Sequence, residues 1–383
     1  MNNEITNPVN LILIIIGLFL GLSIGIFLLF NNSAKNKANI YLAIIVLLSI
    51  TYFGPGFLFR FDLLEKFPHI IGTSLLVPLS LGPLTYLYVR ACTQKGFKMR
   101  PILCLHFLPL VVDQLSYLPF FLQSGAEKYN FFIELVQLGT VRENLIMLIL
   151  KSLHFIIYFV LSILVISKYK KHIVNSTSAV DNAFHSWILV FIAIHALPPF
   201  SVIIGFVFFY GKFTLSIILL CFFLFSFAVF VAIMVKPELF HSFPHQMPLP
   251  DSSEEKTKKY ESSNLMEEKK ERFLSKLLNY FEEEKPYLSP DLTLTNLAKQ
   301  IQIPSHYLSQ VINEKLDCNF LDFVNGYRVK TAKKLLTSED SKQFTILSIA
   351  YDAGFNSKST FYSAFKKHAG TTPSAYRKSL KVL

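Results

Sequence analysis

The sequence predicts an all-α protein: a seven-helix transmembrane bundle, then a flexible linker, then a double helix-turn-helix domain. Three observations predict it. The 383 residues are 52% hydrophobic and only 16% charged, with a mean hydropathy of +0.43, an apolar excess that belongs in membrane spans. Seven apolar runs before His241 each reach the length of about 20 residues that a helix needs to cross a bilayer. The last hundred residues return to ordinary charge content, with apolar residues at helical spacing and turn residues between them.

The runs fall near 9–30, 39–59, 70–91, 102–122, 145–167, 184–210 and 213–235, which makes residues 1–241 a membrane domain. The first is read as a span rather than a cleaved leader. No basic residue precedes it, and no small-residue cleavage site follows before Lys35. The last two runs are separated only by Gly211-Lys212, a tight hairpin. Pro78, Pro83, Pro198 and Pro199 lie inside runs, as kinks that neighbouring helices can accommodate.

Loop charge sets the orientation. One set of alternate loops carries Lys35, Lys37, Arg90, Lys95, Lys98, Arg100, Lys168, Lys170 and Lys171, with Asp181 as its acid. The other dilutes Arg60, Lys66, Lys128, Arg142 and Lys212 with Asp62, Glu65, Glu127, Glu134 and Glu143. The basic set belongs in the cytoplasm, so seven crossings put the N-terminus outside and the C-terminus inside. The net charge of +11 suits this asymmetry, an anionic lipid surface or a nucleic acid.

Ionisable residues within spans are functional candidates by default. They are His106 and Asp113 in the fourth run, Lys151 and His154 in the fifth, and His195 in the sixth. His106 and Asp113, seven apart, share a helix face, and by depth Asp113 can pair with Lys151. One reading is a buried site for an unidentified signal ligand or a proton. The other is an ion pair with hydrogen-bonded histidines that holds the bundle together. The histidines lack the HxxxH or ExxH spacing of a metal site. Cys92, Cys104, Cys221 and Cys318 are scattered without metal or redox spacing, so neither a disulfide framework nor a zinc centre is indicated. No cofactor is implied.

Residues 242–264 are rich in proline, serine and charge, with few apolar residues, and read as a flexible cytoplasmic linker. Residues 265–285 form an amphipathic connecting helix, with Phe273, Leu274, Leu277, Leu278 and Phe281 on one side. It either joins two copies of the chain and transmits a signal, or packs as the first helix of the C-terminal domain.

In residues 286–383, Thr293 caps a helix whose Leu294, Leu297, Ala298 and Ile301 face inward. A turn at 302–304 leads to a helix over 305–315. It buries Tyr307, Leu308, Val311 and Ile312 and exposes Ser305, His306, Ser309, Gln310 and Asn313. A longer amphipathic helix over 320–336 follows. Then Thr345 caps a helix bearing Ile346, Ile349, Ala350 and Ala353, Gly354 supplies the left-handed residue at its end, and Ser357 caps a last helix in which Phe361 and Phe365 bury together. Two helix-turn-helix units on a shared bridge can enter successive major-groove faces about 34 Å apart. The segment carries thirteen basic against seven acidic residues, an excess suited to phosphate contacts. Asp352 reads as an ion-pair partner for Arg328 or another nearby base.

Ile349-Ala350, Gly354-Phe355, Ser359 to Phe361, Phe365-Lys366, Gly370, Thr372-Pro373 and Tyr376-Arg377 form a signature, joined by Phe323, Arg328 and Ala332 to Leu336 in the bridge. On these residues the last hundred positions resemble the DNA-binding domain of the AraC/XylS transcriptional regulators. The resemblance implies a partner of double-stranded promoter DNA, often bound as a homodimer, and base contacts at His306, Ser309 and Gln310 in the first reading helix. In the second it implies Lys358, Ser359, Thr360, Tyr362 and Ser363. The chain departs from the pattern with Gln302 where the family often has glycine and Pro304 where it often has a serine cap. It also has Ser363 in place of an arginine seen in some members.

No nucleophile elbow, phosphate-cradling glycine loop, HExxH or paired catalytic carboxylates occur, so the enzyme classes those motifs mark are excluded. The expectation is a DNA-binding transcription regulator tethered in the bacterial inner membrane, with the lipid bilayer, an unknown signal and RNA polymerase as further partners. The alternative is a transporter or membrane enzyme with an accessory helix-turn-helix domain.

Overall fold

A computed structural model describes residues 7–30, 37–138, 145–178, 182–209, 214–241, 246–247, 267–338 and 343–380. The expected hairpin at Gly211-Lys212, the loop charges Lys35, Arg142, Glu143, Asp181 and Lys212, residues 265–266 and most of the expected linker lie outside the described residues, as do the side chains of Pro198 and Pro199. The chain divides into two compact units, residues 1–167 with 183–249, and residues 168–182 with 250–383. Both are helical, and no strand occurs among the described residues.

In the first unit α1 (Pro8–Phe30) packs on α2 (Ala38–Ile50), and α2 packs on α4 (Val77–Thr93). The approach of α1 to α2 depends on Gly17, Gly21 and Gly25. A Cβ at each would meet the Phe53 ring, Ile50 or Leu47 at 2.6–2.8 Å, so this small-residue stripe lets the two helices close up. Five helical stretches are long and apolar enough to cross a membrane: Pro8–Phe30, Ala38–Arg60, Pro68–Thr93, Ile146–Ser176 and Ser216–Val235. Pro101–Ser116 and Phe184–Leu197 are shorter apolar helices.

Three expected spans are not single helices. The second divides into α2 and α3 (Gly54–Arg60), with Pro55 at the start of α3. The third becomes two 3-10 turns, Pro68–Ile70 and Thr73–Leu76, before α4. Gly72 takes a left-handed conformation (φ +92°) between them, and Pro78 starts α4 rather than kinking it, while Pro83 does lie inside. The fourth is a 3-10 segment (Pro101–Phe107), α5 (Leu108–Ser116) and α6 (Leu118–Phe121), each with a proline in its first two positions. Proline lacks the N–H that would continue a preceding helix but suits a first turn, so each one restarts the chain.

An additional helix, α7 (Gly125–Leu138), comes next. Ser124 and Glu127 bond each other's backbone N–H at 3.3 and 2.7 Å, a capping box. Phe132 of α7 packs with Leu64 and Ile71. The unit is completed by α8 (Leu145–Ser176), α9 (Asn182–Phe209), α10 (Thr214–Val235) and the short α11 (Glu238–His241); α8 continues into the second unit beyond Ser167. Hydrogen bonds tie the helices: Asn10 Nδ2 donates to Ser216 Oγ at 2.8 Å, Asn39 Nδ2 to the Phe240 carbonyl at 2.7 Å, and Trp187 Nε1 to Tyr88 Oη at 3.1 Å. Within the linker region, Gln246 and Met247 are fixed rather than free. Met247 forms a parallel bridge with Gln94, and Gln246 Nε2 donates to the Ala91 and Cys92 carbonyls.

The second unit holds α12 (Glu267–Glu283), α13 (Leu294–Gln300), α14 (Ser305–Lys315), α15 (Phe320–Thr337), α16 (Ile346–Asp352), α17 (Lys358–Ala369) and α18 (Pro373–Ser379). It has two cores. Leu277 and Phe281 of α12 pack with Leu297, Leu308, Ile312, Phe320 and Val324. Val329, Ala332 and Leu336 of α15 pack with Ile349, Ala350, Phe355, Phe361 and Phe365. The bridging helix α15 thus supplies one wall to each core.

Candidate nucleic-acid interface

Side-chain caps start most helices of this domain, though not the first reading helix. Thr293 accepts from Asn296 N, Thr345 from Ser348 N, Ser357 from Thr360 N and Thr372 from Ala375 N. Such caps satisfy amides that the first turn leaves orphaned and each contribute about 0.5–2 kcal/mol. α14 differs: Pro304 stands at its N-cap and no side chain caps it.

The turns of the two units share one geometry. In the second, Gly354 has φ +90° and Phe355 N donates to the Ala350 carbonyl. In the first, Gln302 has φ +52° and Ile303 N donates to the Ala298 carbonyl. Both are Schellman-type ends. Only Gly354 is also pressed by backbone, since a Cβ there would collide with the Tyr287 carbonyl and the backbone of Leu288.

On α14, His306 is exposed with its ring 3.9 Å from that of Tyr307. Ser309 is half-buried and Asn313 Nδ2 donates to its carbonyl at 2.7 Å. Gln310 Nε2 donates to Glu314 Oε1 at 3.0 Å. That bond engages the amide within its own helix, so reading a base means exchanging one acceptor for another. On α17, Lys358, Ser359 and Ser363 are exposed, with the Lys358 ammonium 5.6 Å from the Tyr362 ring centroid. Two expected contacts are already engaged within the domain. Thr360 is buried, and its Oγ1 accepts from Ser357 Oγ at 2.8 Å, so it finishes the cap instead of facing outward. Tyr362 is half-buried, its hydroxyl 3.1 Å from Ser374 Oγ, which ties α17 to α18.

The connecting helix packs on the first reading helix. Lys270 pairs with Glu314 at 2.9 Å, and Lys315 pairs with Glu267 and Glu271. Hydrogen bonding to Lys315 holds the Glu267 carboxyl below its ordinary range, and hydrogen bonding to Glu314 raises the Lys270 ammonium. Of the two roles open to this helix, packing as a first helix is what the structure describes. The sequence alone assigns these charges no partner, although Glu267 and Glu271 fall on one face of α12 at i, i+4 spacing.

Arg328 does not pair with Asp352. It is 1% exposed, and its guanidinium donates to four acceptors: the carbonyls of Tyr287, Ser178 and Ser289, each at 2.8 Å, and Ser178 Oγ at 3.0 Å. It also lies 5.7 Å from the Phe355 ring centroid. Burial pushes its pKa down to about 10, with the Asp291 charge acting in the opposite sense.

In the first unit, Lys151 Nζ lies 3.7 Å from Asp113 Oδ1, both side chains buried, and 3.5 Å from Tyr117 Oη. His106 Nδ1 is 2.8 Å from Tyr158 Oη, and the His154 ring stands 4.9 Å from that of Tyr158. Lys151, His154 and Tyr158 recur at i, i+3, i+7 on α8, which places Asp113, His106 and their partners along one seam. Tyr117 and Tyr158 are not singled out by the sequence alone, though that spacing marks Tyr158. His195 stands apart from this seam, against Phe191 and Phe225. Among the described residues, no three His, Cys, Asp or Glu side chains are placed to hold a metal ion.

The family profile described as a helix-turn-helix domain matches residues 297–379. The melibiose operon regulatory protein of Escherichia coli (strain K12) is 31% identical over 87 residues, 23% of this chain and 28% of that protein. Regulatory protein PocR of Salmonella typhimurium is 31% identical over 107 residues, 28% of this chain and 33% of that protein. A solved structure of a protein of unknown function from Listeria innocua has 31% identity, covers 28% of this chain and 95% of that one, and superposes with a TM-score of 0.25. The chain thus spans a third or less of the length of these curated relatives.

Proposed function

We propose, from the premise that the chain ends in an AraC-type helix-turn-helix domain, that it is a membrane-anchored transcription regulator. Residues 1–241 sense a signal, and residues 286–383 bind promoter DNA in the cytoplasm. The observation that carries the reading is the pair of turn-matched helix-turn-helix units on one bridging helix, preceded in the chain by a series of apolar helices. Lys358, Ser359 and Ser363 on α17, and His306, Ser309 and Gln310 on α14, face the DNA. Lysine and serine suit phosphates or base edges, and glutamine suits adenine. The N-terminus lies outside and the DNA-binding domain inside, as the loop charges favour. Two copies bind paired half-sites, and contact with RNA polymerase follows at the promoter.

Genome-wide mapping of DNA bound by tagged full-length protein, with matched transcripts from a deletion strain, tests this. The expected result is a few sites sharing a two-part sequence beside genes whose transcripts change. Bound DNA with no shared sequence overturns the reading. The buried Asp113–Lys151 pair favours a second reading, a transporter or membrane enzyme whose C-terminal domain is accessory. Loss of a transport or catalytic activity in liposomes on Asp113→Asn and Lys151→Met would give it priority.

A further inference from the structure

We propose that Thr177 and Ser178 form a strap that holds the DNA-binding domain in its reading arrangement, and that a signal acts by withdrawing it. The inference rests on the regulator reading and adds the route by which the domain is switched. Thr177 and Ser178 come directly after the last turn of α8 and are 2% and 0% exposed. Thr177 forms an antiparallel bridge with Thr293, and Ser178 N donates to the Leu292 carbonyl at 3.0 Å. Thr293 is the cap of α13, so the strap is fastened to the residue that starts the first helix-turn-helix.

Ser178 also completes the surroundings of Arg328. A buried guanidinium needs acceptors for its fork of N–H groups. Of the four acceptors that Arg328 finds, two are on Ser178, its carbonyl and its hydroxyl. The other two, the Tyr287 and Ser289 carbonyls, lie on the segment leading to Thr293. The same cation faces the Phe355 ring in the turn of the second unit, and the Tyr287 carbonyl is packed against Gly354. Arg328 therefore stands where the cap of the first unit, the bridging helix and the turn of the second unit meet. With the strap removed, a buried cation loses half of its acceptors. The segment that holds the rest must shift or admit water, and the spacing of the two reading helices loosens with it.

The experiment uses full-length protein in lipid nanodiscs and the promoter recovered by mapping. The pair Thr177→Cys with Thr293→Cys is expected to form an intrachain disulfide, read as a linked peptide by mass spectrometry, while Thr177→Cys with Thr345→Cys does not. Locked protein is expected to keep wild-type promoter affinity. Ser178→Pro removes the N–H bound to Leu292. It is expected to speed amide exchange over residues 287–293 and to weaken promoter binding at least threefold. Absence of the disulfide, or a Ser178→Pro protein with wild-type exchange and affinity, overturns the strap. Should wild-type protein bind no specific DNA, the regulator reading fails, while the disulfide and exchange still report on the strap.

Discussion

The two helix-turn-helix units are built on one plan and are held by different forces. The second is self-contained. Thr345 and Ser357 cap its helices, Gly354 turns the chain, Gly370 (φ +72°) ends α17, and its exposed Lys358 carries no carboxylate partner among the described residues. The first leans on its neighbours. Its turn is made by Gln302 in a left-handed conformation, its reading helix starts at an uncapped Pro304, and its far end is gripped by charges from α12. The difference teaches that the same backbone geometry can be specified locally by glycine and caps, or imposed by surrounding helices. The first unit takes its turn and its reading helix from contacts outside itself, whereas the second meets its surroundings chiefly at Gly354 and Phe355.

The difference can be broken most sharply at the turns. Gly354→Ala puts a Cβ into left-handed backbone and against the Tyr287 carbonyl, so a stability loss of about 3 kcal/mol or more is expected. Urea titration of the full-length protein in lipid nanodiscs, followed by amide exchange over residues 286–380, measures it. Gln310→Ala removes the proposed base reader, with an expected loss of about 1–3 kcal/mol in promoter affinity and relaxed preference at a single base position. Binding to a set of single-base promoter variants checks this. Lys358→Ala is expected to reduce the slope of log affinity against log salt by about one, the effect of one lost phosphate contact. Lys315→Ala, whose ammonium is already held by Glu267 and Glu271, is expected to leave the slope unchanged. The smallest change is at the first turn. Gln302→Gly relieves the left-handed strain at the cost of chain entropy, so a gain below about 1 kcal/mol is expected in the same urea titrations.

Features decided by neighbours in sequence were legible. Thr293, Thr345 and Ser357 cap where their spacing placed them, because a cap bonds an amide only a few residues away. The helix-turn-helix character of the C-terminal residues, matched by the domain profile over 297–379, was legible in the motif between Ile349 and Arg377. Asp113 and Lys151 could be brought together from depth alone. Hydropathy gave the apolar lengths but was blind to Pro55, Pro109 and Pro119, each of which restarts a helix inside a run, and Pro78, read as a kink, starts one too. Helix α7 was missed because its apolar content is ordinary, though Ser124 and Glu127 announced it. Thr360 entered only through the family resemblance, and it sits within reach of its own cap. The surroundings of Arg328 were beyond reading, since Ser178 lies 150 positions away and nothing local to either residue names the other.

Helix α8 runs unbroken for 32 residues. At 1.5 Å per residue that is about 48 Å, against about 30 Å of hydrocarbon in a bilayer. The helix is thus about 18 Å, some three turns, longer than that thickness, and it leads into Thr177 and Ser178. Consecutive positions on the helix face about 100° apart, so a screw shift by one residue would carry Ser178 to another side of the axis. Under the strap proposal, such a shift is what would take the Ser178 acceptors away from the buried Arg328 guanidinium.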